Sequence, residues 1–296
     1  MFRDPSLVDF GSDTPARGGG QGRRLELLGG ILVDRPLAHD GLPPRGMPAE
    51  WQAAGATFVE SGGGWTFASP PPDPWRVRVP LEEAAAAEGI ELEVRPAPSG
   101  QTGLVLEQVP QWRWLFASTP RGARVLSLFA HSGAATLALA AAGAEVTHVD
   151  ASKQATAMAR RNAVASALDT APIRWICDDA RAFVAREVRR GSAYDGVVLD
   201  PPSWGHGSKG QAFSIDRDLL PLLEGIGLLL ASARRTTGIG PTLLTCHSPG
   251  WHHRRLHDTL TATLGLDRCE SGRLTCTDAS GRSLALGDYA RHAPPR

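Results

Sequence analysis

Hydrophobic and polar positions change period along the chain. The sharpest change lies between residues 125 and 150, VLSLFAHSGAATLALAAAGAEVTHVD. Residues 125–129 are an apolar run of strand length, and 130–133 are turn residues. Residues 134–142 are rich in Ala and Leu, which favours helix. Gly143 fits the helix stop, and 145–149 read as a second strand ending in Asp150. Strand, tight turn, helix and strand make the opening half of a doubly wound nucleotide-binding sheet, with a carboxylate at the tip of its second strand.

The winding continues. Residues 151–168 are helical with Ser152 as N-cap, and 173–177 form a third strand ending in Asp178-Asp179-Ala180. A helix follows over 181–190, and a fourth strand over 196–199 runs into Asp200-Pro201-Pro202-Ser203-Trp204. Residues 205–211, GHGSKGQ, are polar and suit a substrate lid, with Lys209 either meeting phosphate or solvated. A helix over 215–234, a fifth strand over 241–245 ending at Cys246, a helix opened by 252–255, and strands over 269–277 and 282–289 complete the series.

The amino-terminal part has another texture. Residues 1–22 are rich in Gly, Ser, Asp, Pro and Arg, and read as a mobile tail. Short apolar runs at 25–33, 56–59, 65–68 and 75–79 are separated by Gly and Pro clusters, as in a small β-rich domain. Residues 81–88 suit one or two helical turns and 90–95 a strand. Trp51, Trp65 and Trp75 fit core packing better than a base-stacking surface. The expected organisation is a tail over 1–22, a β-rich domain over 23–98 and an α/β domain over 99–292.

Composition narrows the class. Of 296 residues, 42% are hydrophobic and 21% charged, the proportions of a soluble globular protein. A formal net charge of zero speaks against a strong non-specific nucleic-acid binder but leaves room for a local basic groove. Four cysteines without CxxC or Cys/His spacing argue against a metal, and with no secretory segment they suggest a reduced cytoplasm. No apolar run reaches membrane-spanning length.

Asp150 follows Gly133 by 17 positions, near the roughly 20-residue spacing of a ribose-binding carboxylate. The G-x-G-x-x-G run that a pyrophosphate needs is absent, so a ligand without phosphate fits better; S-adenosylmethionine is one, with NAD or no ligand as alternatives. Asp178 or Asp179, at the tip of the third strand, suits an adenine amino group or a helix cap. The two prolines after Asp200 fix an extended turn that holds Asp200 and its neighbouring carbonyls at the end of a central strand. Trp204 can stack on a flat acceptor. Cys246 is either a thiolate nucleophile for a pyrimidine C5 acceptor, helped by His247 and Arg254, or a small apolar strand-end residue. Arg254 and Arg255 either meet backbone phosphate or face solvent.

The segments QTGLVLEQ (101–108), LFAHSGAATLALAAAGAEVTHVDAS (128–152), DDARAF (178–183) and DPPSWGHGSKGQ (200–211) together resemble the class I S-adenosylmethionine-dependent methyltransferases. The resemblance is to the bacterial family of 23S ribosomal RNA large-subunit methyltransferase-like proteins, over about residues 25–292. It implies an α/β, Rossmann-like seven-stranded sheet with a small β-rich amino-terminal domain, and S-adenosylmethionine as cofactor. It implies Asp150 on the ribose, Asp179 on the adenine, and Phe129, Ala130, His131, Ser132 and Gly133 around the methionine moiety, flanked by Ala151, Asp178, Ala180 and Gln108. It places Asp200, Pro201, Pro202 and Trp204 at the acceptor. The turn reads AHSG where an aromatic residue often precedes the small polar residue and glycine, and the first domain is the short β-rich one where the longer ribosomal enzymes carry a PUA-type RNA-binding module. The expected acceptor is a base of RNA, with a small molecule or a non-catalytic donor-binding role as alternatives.

Overall fold

The structure is a computed structural model, and it describes residues 4–12, 22–39, 41–60, 62–82, 89–205, 212–231, 233 and 238–293. The chain divides into two compact units. The first comprises Met1–Pro80, Glu91–Val109 and Thr275–Ala285, the second Leu81–Ile90, Pro110–Leu274 and Leu286–Arg296. Residues 99–109 and 275–285, expected in the α/β domain, thus group with the amino-terminal sheet. The helical turns expected over 81–88 and the lid over 205–211 fall largely outside the described residues.

In the first unit β1 (Ser6–Gly11), β2 (Arg23–Leu28), β3 (Ile31–Pro36), β4 (Ala56–Val59) and β5 (Gly64–Phe67) form a sheet in that order, and β6 (Arg76–Pro80) pairs with β7 (Gly89–Glu93). The expectation of a tail over 1–22 is corrected at β1, which pairs antiparallel with β2 and buries Leu7, Val8 and Phe10. The polar residue that disguises this strand, Asp9, is itself buried: Arg282 and the Trp51 indole N–H donate to its carboxylate. A charge so placed persists only because it is paired and hydrogen-bonded. Trp75 is buried with its indole N–H donating to the Leu28 carbonyl at 3.0 Å, and Trp65 donates to the Ala97 carbonyl at 2.7 Å, so both are packing residues.

In the second unit β8 (Arg124–Leu128), β9 (Glu145–Asp150), β10 (Ile173–Cys177), β11 (Gly196–Leu199) and β14 (Thr242–Cys246) are parallel, and β16 (Ser283–His292) runs antiparallel to β14. With β15 (Glu270–Thr277) the seven-stranded order is β10-β9-β8-β11-β14-β16-β15. After α1 (Pro48–Gln52), which precedes β4, and α2 (Val109–Ser118), which precedes β8, helices α3 (Ala134–Ala141), α4 (Lys153–Ala165), α5 (Ala180–Arg189) and α6 (Ile215–Leu229) connect the strands. All residues of β11 and β14 are buried, as expected of central strands covered on both faces. The strand order reverses between β8 and β11, so the carboxyl-end crevice opens beside the tips of those two strands.

Candidate active site at the sheet's carboxyl end

The turn after β8 carries three left-handed residues in five: Phe129 (φ 53), His131 (φ 43) and Gly133 (φ 83). Two of them bear side chains, a conformation that costs about 1–3 kcal/mol at each such residue and persists only where surroundings enforce it. The enforcing contacts are visible. Asp150 accepts the His131 backbone N–H on one carboxylate oxygen and that of Ser152 on the other, both at 2.8 Å. The Ala130 N–H donates to the Val149 carbonyl, and the buried Asn162 amide of α4 donates to the Ser132 carbonyl at 2.9 Å. Gly133 must remain glycine, because a Cβ there would lie 2.8 Å from the Ala159 Cβ. Behind the turn, Thr136 on α3 lies 3.2 Å from the Ser127 hydroxyl and 3.0 Å from His148 Nδ1. Burial, with Arg160 and His131 nearby, pushes His148 down to about 3, so this ring is a neutral core member.

At the tip of β10, Asp179 caps α5 by accepting the Arg181 and Ala182 N–H groups, and its carboxylate also meets the Arg181 guanidinium at 2.8 Å. Burial pushes Asp179 up, but the Arg181 guanidinium and the helix N–H groups outweigh it and hold the carboxyl below its ordinary value. Asp178 pairs with Arg186 at 2.7 Å. Ala180 is buried, while Ala151 is exposed and its carbonyl lies 3.6 Å from the Cys177 thiol. Arg181 continues to Asp218 at 2.9 Å, and Asp218 accepts the Ser214 N–H. The Arg217 guanidinium, ahead of the opposing effect of burial, brings Asp218 down to about 2.

The segment after β11 forms the opposite wall. Pro201 is buried, and Asp200 accepts the Thr245 hydroxyl at 2.7 Å and lies 3.6 Å from His247 Nδ1. The Ser203 and Ser248 hydroxyls are 2.7 Å apart, tying the loops after β11 and β14. Trp204 opens a two-residue strand, β12 (Trp204–Gly205), paired with β13 (Phe213–Ser214), and is 73% exposed. The Phe213 ring meets Phe129 edge-on at 5.0 Å, joining this hairpin to the turn after β8.

Cys246 lacks what the nucleophile alternative requires. Its side chain is 1% exposed within the core, and burial, aided by the Asp200 and Asp288 carboxylates, pushes the thiol up despite its contact with Ser248. A buried thiol held in its neutral form is a packing residue. Gln108 is buried in a 3-10 turn (Leu106–Gln108) of the first unit, whereas every other expected site residue belongs to the second. Arg255 lies 3.7 Å over the Trp251 ring and donates to the Gly250 carbonyl, so its guanidinium braces its own helix start. Sequence reasoning missed Asn162, Thr245 and Ser248, whose partners are 30 to 45 residues away, and left His247 only as a helper to a thiolate. Among the described residues no cluster of three or more His, Cys, Asp or Glu side chains suits a metal ion, and no helix is long and apolar enough to cross a membrane.

A sheet in this order, with acids at the tips of its second and third strands and a proline-braced loop at the fourth, defines a Rossmann-like nucleotide-binding fold of the class I methyltransferase type. The chain belongs to the S-adenosylmethionine-dependent methyltransferase family, whose model matches residues 74–253. It is 29% identical over 180 residues to ribosomal RNA large subunit methyltransferase I of Aeromonas hydrophila, covering 60% of this chain and 43% of that protein. The chain therefore aligns with less than half the length of that relative. A solved S-adenosylmethionine-dependent methyltransferase from Agrobacterium tumefaciens matches with a TM-score of 0.84 and 32% identity over 100% of this chain and 92% of that one. The structure of SMU.776 complexed with SAH, 16% identical with a TM-score of 0.69 over 97% of this chain and 75% of that one, shares the fold.

Proposed function

We propose that this chain transfers the methyl group of S-adenosylmethionine to a base of RNA, with ribosomal RNA the first substrate to test and the cytoplasm the place of action. The observation that carries the reading is the pairing of a strained, acid-anchored turn at β8 with the Asp200–Trp204 wall at β11, on the two sides of the switch point. The donor set fits the cofactor chemically. A carboxylate offers about four lone-pair sites, of which the His131 and Ser152 N–H groups take two, leaving Asp150 able to accept two ribose hydroxyls. We assign the adenine amino group to Asp179, with Asp178, Ala180 and Ala151 beside it, and the methionine moiety to the turn from Phe129 to Gly133.

Bound S-adenosylmethionine supplies an already activated methyl group. The protein's task is then alignment and exclusion of competing water. Asp200, set by Thr245, and the carbonyls beside Pro201 and Pro202 accept from the incoming base, and the exposed Trp204 indole stacks on it. The naming of the Aeromonas relative as a ribosomal RNA methyltransferase supports RNA as acceptor. A small-molecule acceptor is the second reading, favoured by the zero net charge. The test is labelling of RNA from cells lacking the gene, using methyl-tritiated donor and the full chain, followed by nucleoside mass spectrometry. Transfer to one ribosomal RNA nucleoside is expected. Donor binding without label in any RNA fraction would remove the RNA reading.

A further inference from the structure

The hairpin that carries Trp204 is tied to the donor side of the crevice by contacts that one guanidinium gathers. Strands β12 and β13 pair over two residues each, with Trp204 opposite Ser214, and so short a ladder is not stable by itself. Arg181, at the start of α5, reaches it from the tip of β10. Its Nε and Nη2 donate to the two oxygens of Asp179 at 3.1 and 2.8 Å, and its Nη1 donates to Asp218 Oδ2 at 2.9 Å. The same Asp218 oxygen accepts the Ser214 backbone N–H at 2.8 Å. The guanidinium also lies 5.7 Å over the Phe213 ring, whose edge-on neighbour is Phe129 of the turn after β8. A planar fork can hold two carboxylates in fixed geometry in this way, whereas a lysine offers only a point charge. The Asp179, Arg181 and Asp218 side chains are 12–27% exposed, so water and salt screen them less than a surface pair.

We propose that Arg181 is a positioning residue that couples the two halves of the site: it aims Asp179 at the adenine and, through Asp218, orders the Trp204 hairpin once the donor is bound. The inference rests on the donor reading above and adds an order of assembly to it, donor before acceptor. Asp179 Oδ1 accepts three N–H groups, those of the Arg181 backbone, Arg181 Nε and the Ala182 backbone, whereas among the described residues Oδ2 accepts Arg181 Nη2 alone. A carboxylate oxygen offers about two lone pairs, so Oδ2 is the oxygen that receives the adenine amino group. An amino group there fixes the plane of the carboxylate. The carboxylate then fixes the guanidinium, and the guanidinium fixes Asp218 against the Ser214 N–H. Linkage runs both ways: the factor by which bound donor steadies the hairpin is the factor by which the tied hairpin strengthens donor binding.

The test is hydrogen-exchange mass spectrometry of the full chain with and without S-adenosylhomocysteine, on the wild type, Arg181→Met and Asp218→Ala, beside calorimetry of the same ligand. In the wild type the ligand should slow exchange of the segments carrying Trp204 and Ser214 at least about fivefold, the lower end of ordinary coupling between sites. Both substitutions should abolish that ligand-dependent slowing, and donor affinity should fall by a similar factor. A merely structural role would speed exchange equally with and without ligand and leave the ratio intact, which overturns the proposal. A wild-type hairpin whose exchange does not respond to the ligand overturns it too, as does an unchanged donor affinity in Arg181→Met. Asp218→Ala leaves the Asp179–Arg181 pair in place and gives the same comparison should Arg181→Met fail to fold. If the wild type does not bind the ligand, the donor reading itself falls. Binding that is indifferent to both substitutions leaves that reading standing and removes only the coupling.

Discussion

Gly133→Ala is the perturbation whose cost can be worked most completely from the geometry. Gly133 sits at φ 83, and an L side chain in the left-handed region costs about 1–2 kcal/mol. The added methyl would lie 2.8 Å from the Ala159 Cβ, well inside contact distance, and overpacking of a close-packed site costs about 1–3 kcal/mol. Together these give about 2–5 kcal/mol, a fall in Tm of about 5–15 °C for a unit of this size. The turn can escape the overlap only by moving away from α4. That weakens the His131 bond to Asp150, so calorimetric donor affinity should fall at least about tenfold, about 1.4 kcal/mol. Ala159→Gly in the same molecule removes the overlap but not the backbone strain, at about 1 kcal/mol for glycine inside a helix. The double variant should therefore regain part of the loss, with a coupling of about 0.5–3 kcal/mol. Scanning calorimetry showing Gly133→Ala melting within about 1 °C of wild type, or strictly additive effects of the two substitutions, would refute the reasoning.

Other expectations follow from named contacts. The Asp218 carboxyl is lowered from 3.8 to about 2, so its contribution to stability is complete above the unfolded value and fades as pH falls from about 4 toward 2; Asp218→Asn should flatten that part of the acid-unfolding curve, and an unchanged acid limb would count against the Arg181–Asp218–Arg217 chain. Glu26 and Arg35 form an ion pair at 2.6 Å with side chains 1% exposed; Arg35→Met alone should cost about 3–5 kcal/mol in denaturant melts, and adding Glu26→Leu should recover most of it, whereas equal losses would disprove an uncompensated charge as the cause. Cys246→Ala should lower stability by about 1–2 kcal/mol through lost packing and leave methyl transfer in place, and abolished transfer by a folded variant would restore the thiolate alternative.

The legible parts of the fold are those where a period changes over a short window. Residues 125–150 give strand, turn, helix and strand in the register found, because apolar spacing within 26 residues determines each element. Ser152 and Asp179 cap the helices they precede, as residue type and position alone suggest. The first strand was hidden for a physical reason. Its core residues Leu7, Val8 and Phe10 are interrupted by Asp9, and the partner that makes that charge tolerable, Arg282, is 273 positions away. Cys246 ends a strand, TLLTC, that is buried throughout, so no alternation marks which way its thiol points. His247, Thr245 and Ser248 acquire meaning only from the strand order, which sets β14 beside β11 and brings 45-residue separations into contact.

The central claim is that the crevice at the tips of β8 and β9 holds the donor through Asp150. Titration calorimetry with S-adenosylhomocysteine on wild type and Asp150→Ala tests it most directly. Loss of two charge-assisted hydrogen bonds at about 1.5–3 kcal/mol each predicts one-to-one binding by the wild type and an affinity lower by about 10² to 10⁴ in a still-folded variant. A wild type that does not bind, or a variant that binds equally well, would contradict the account.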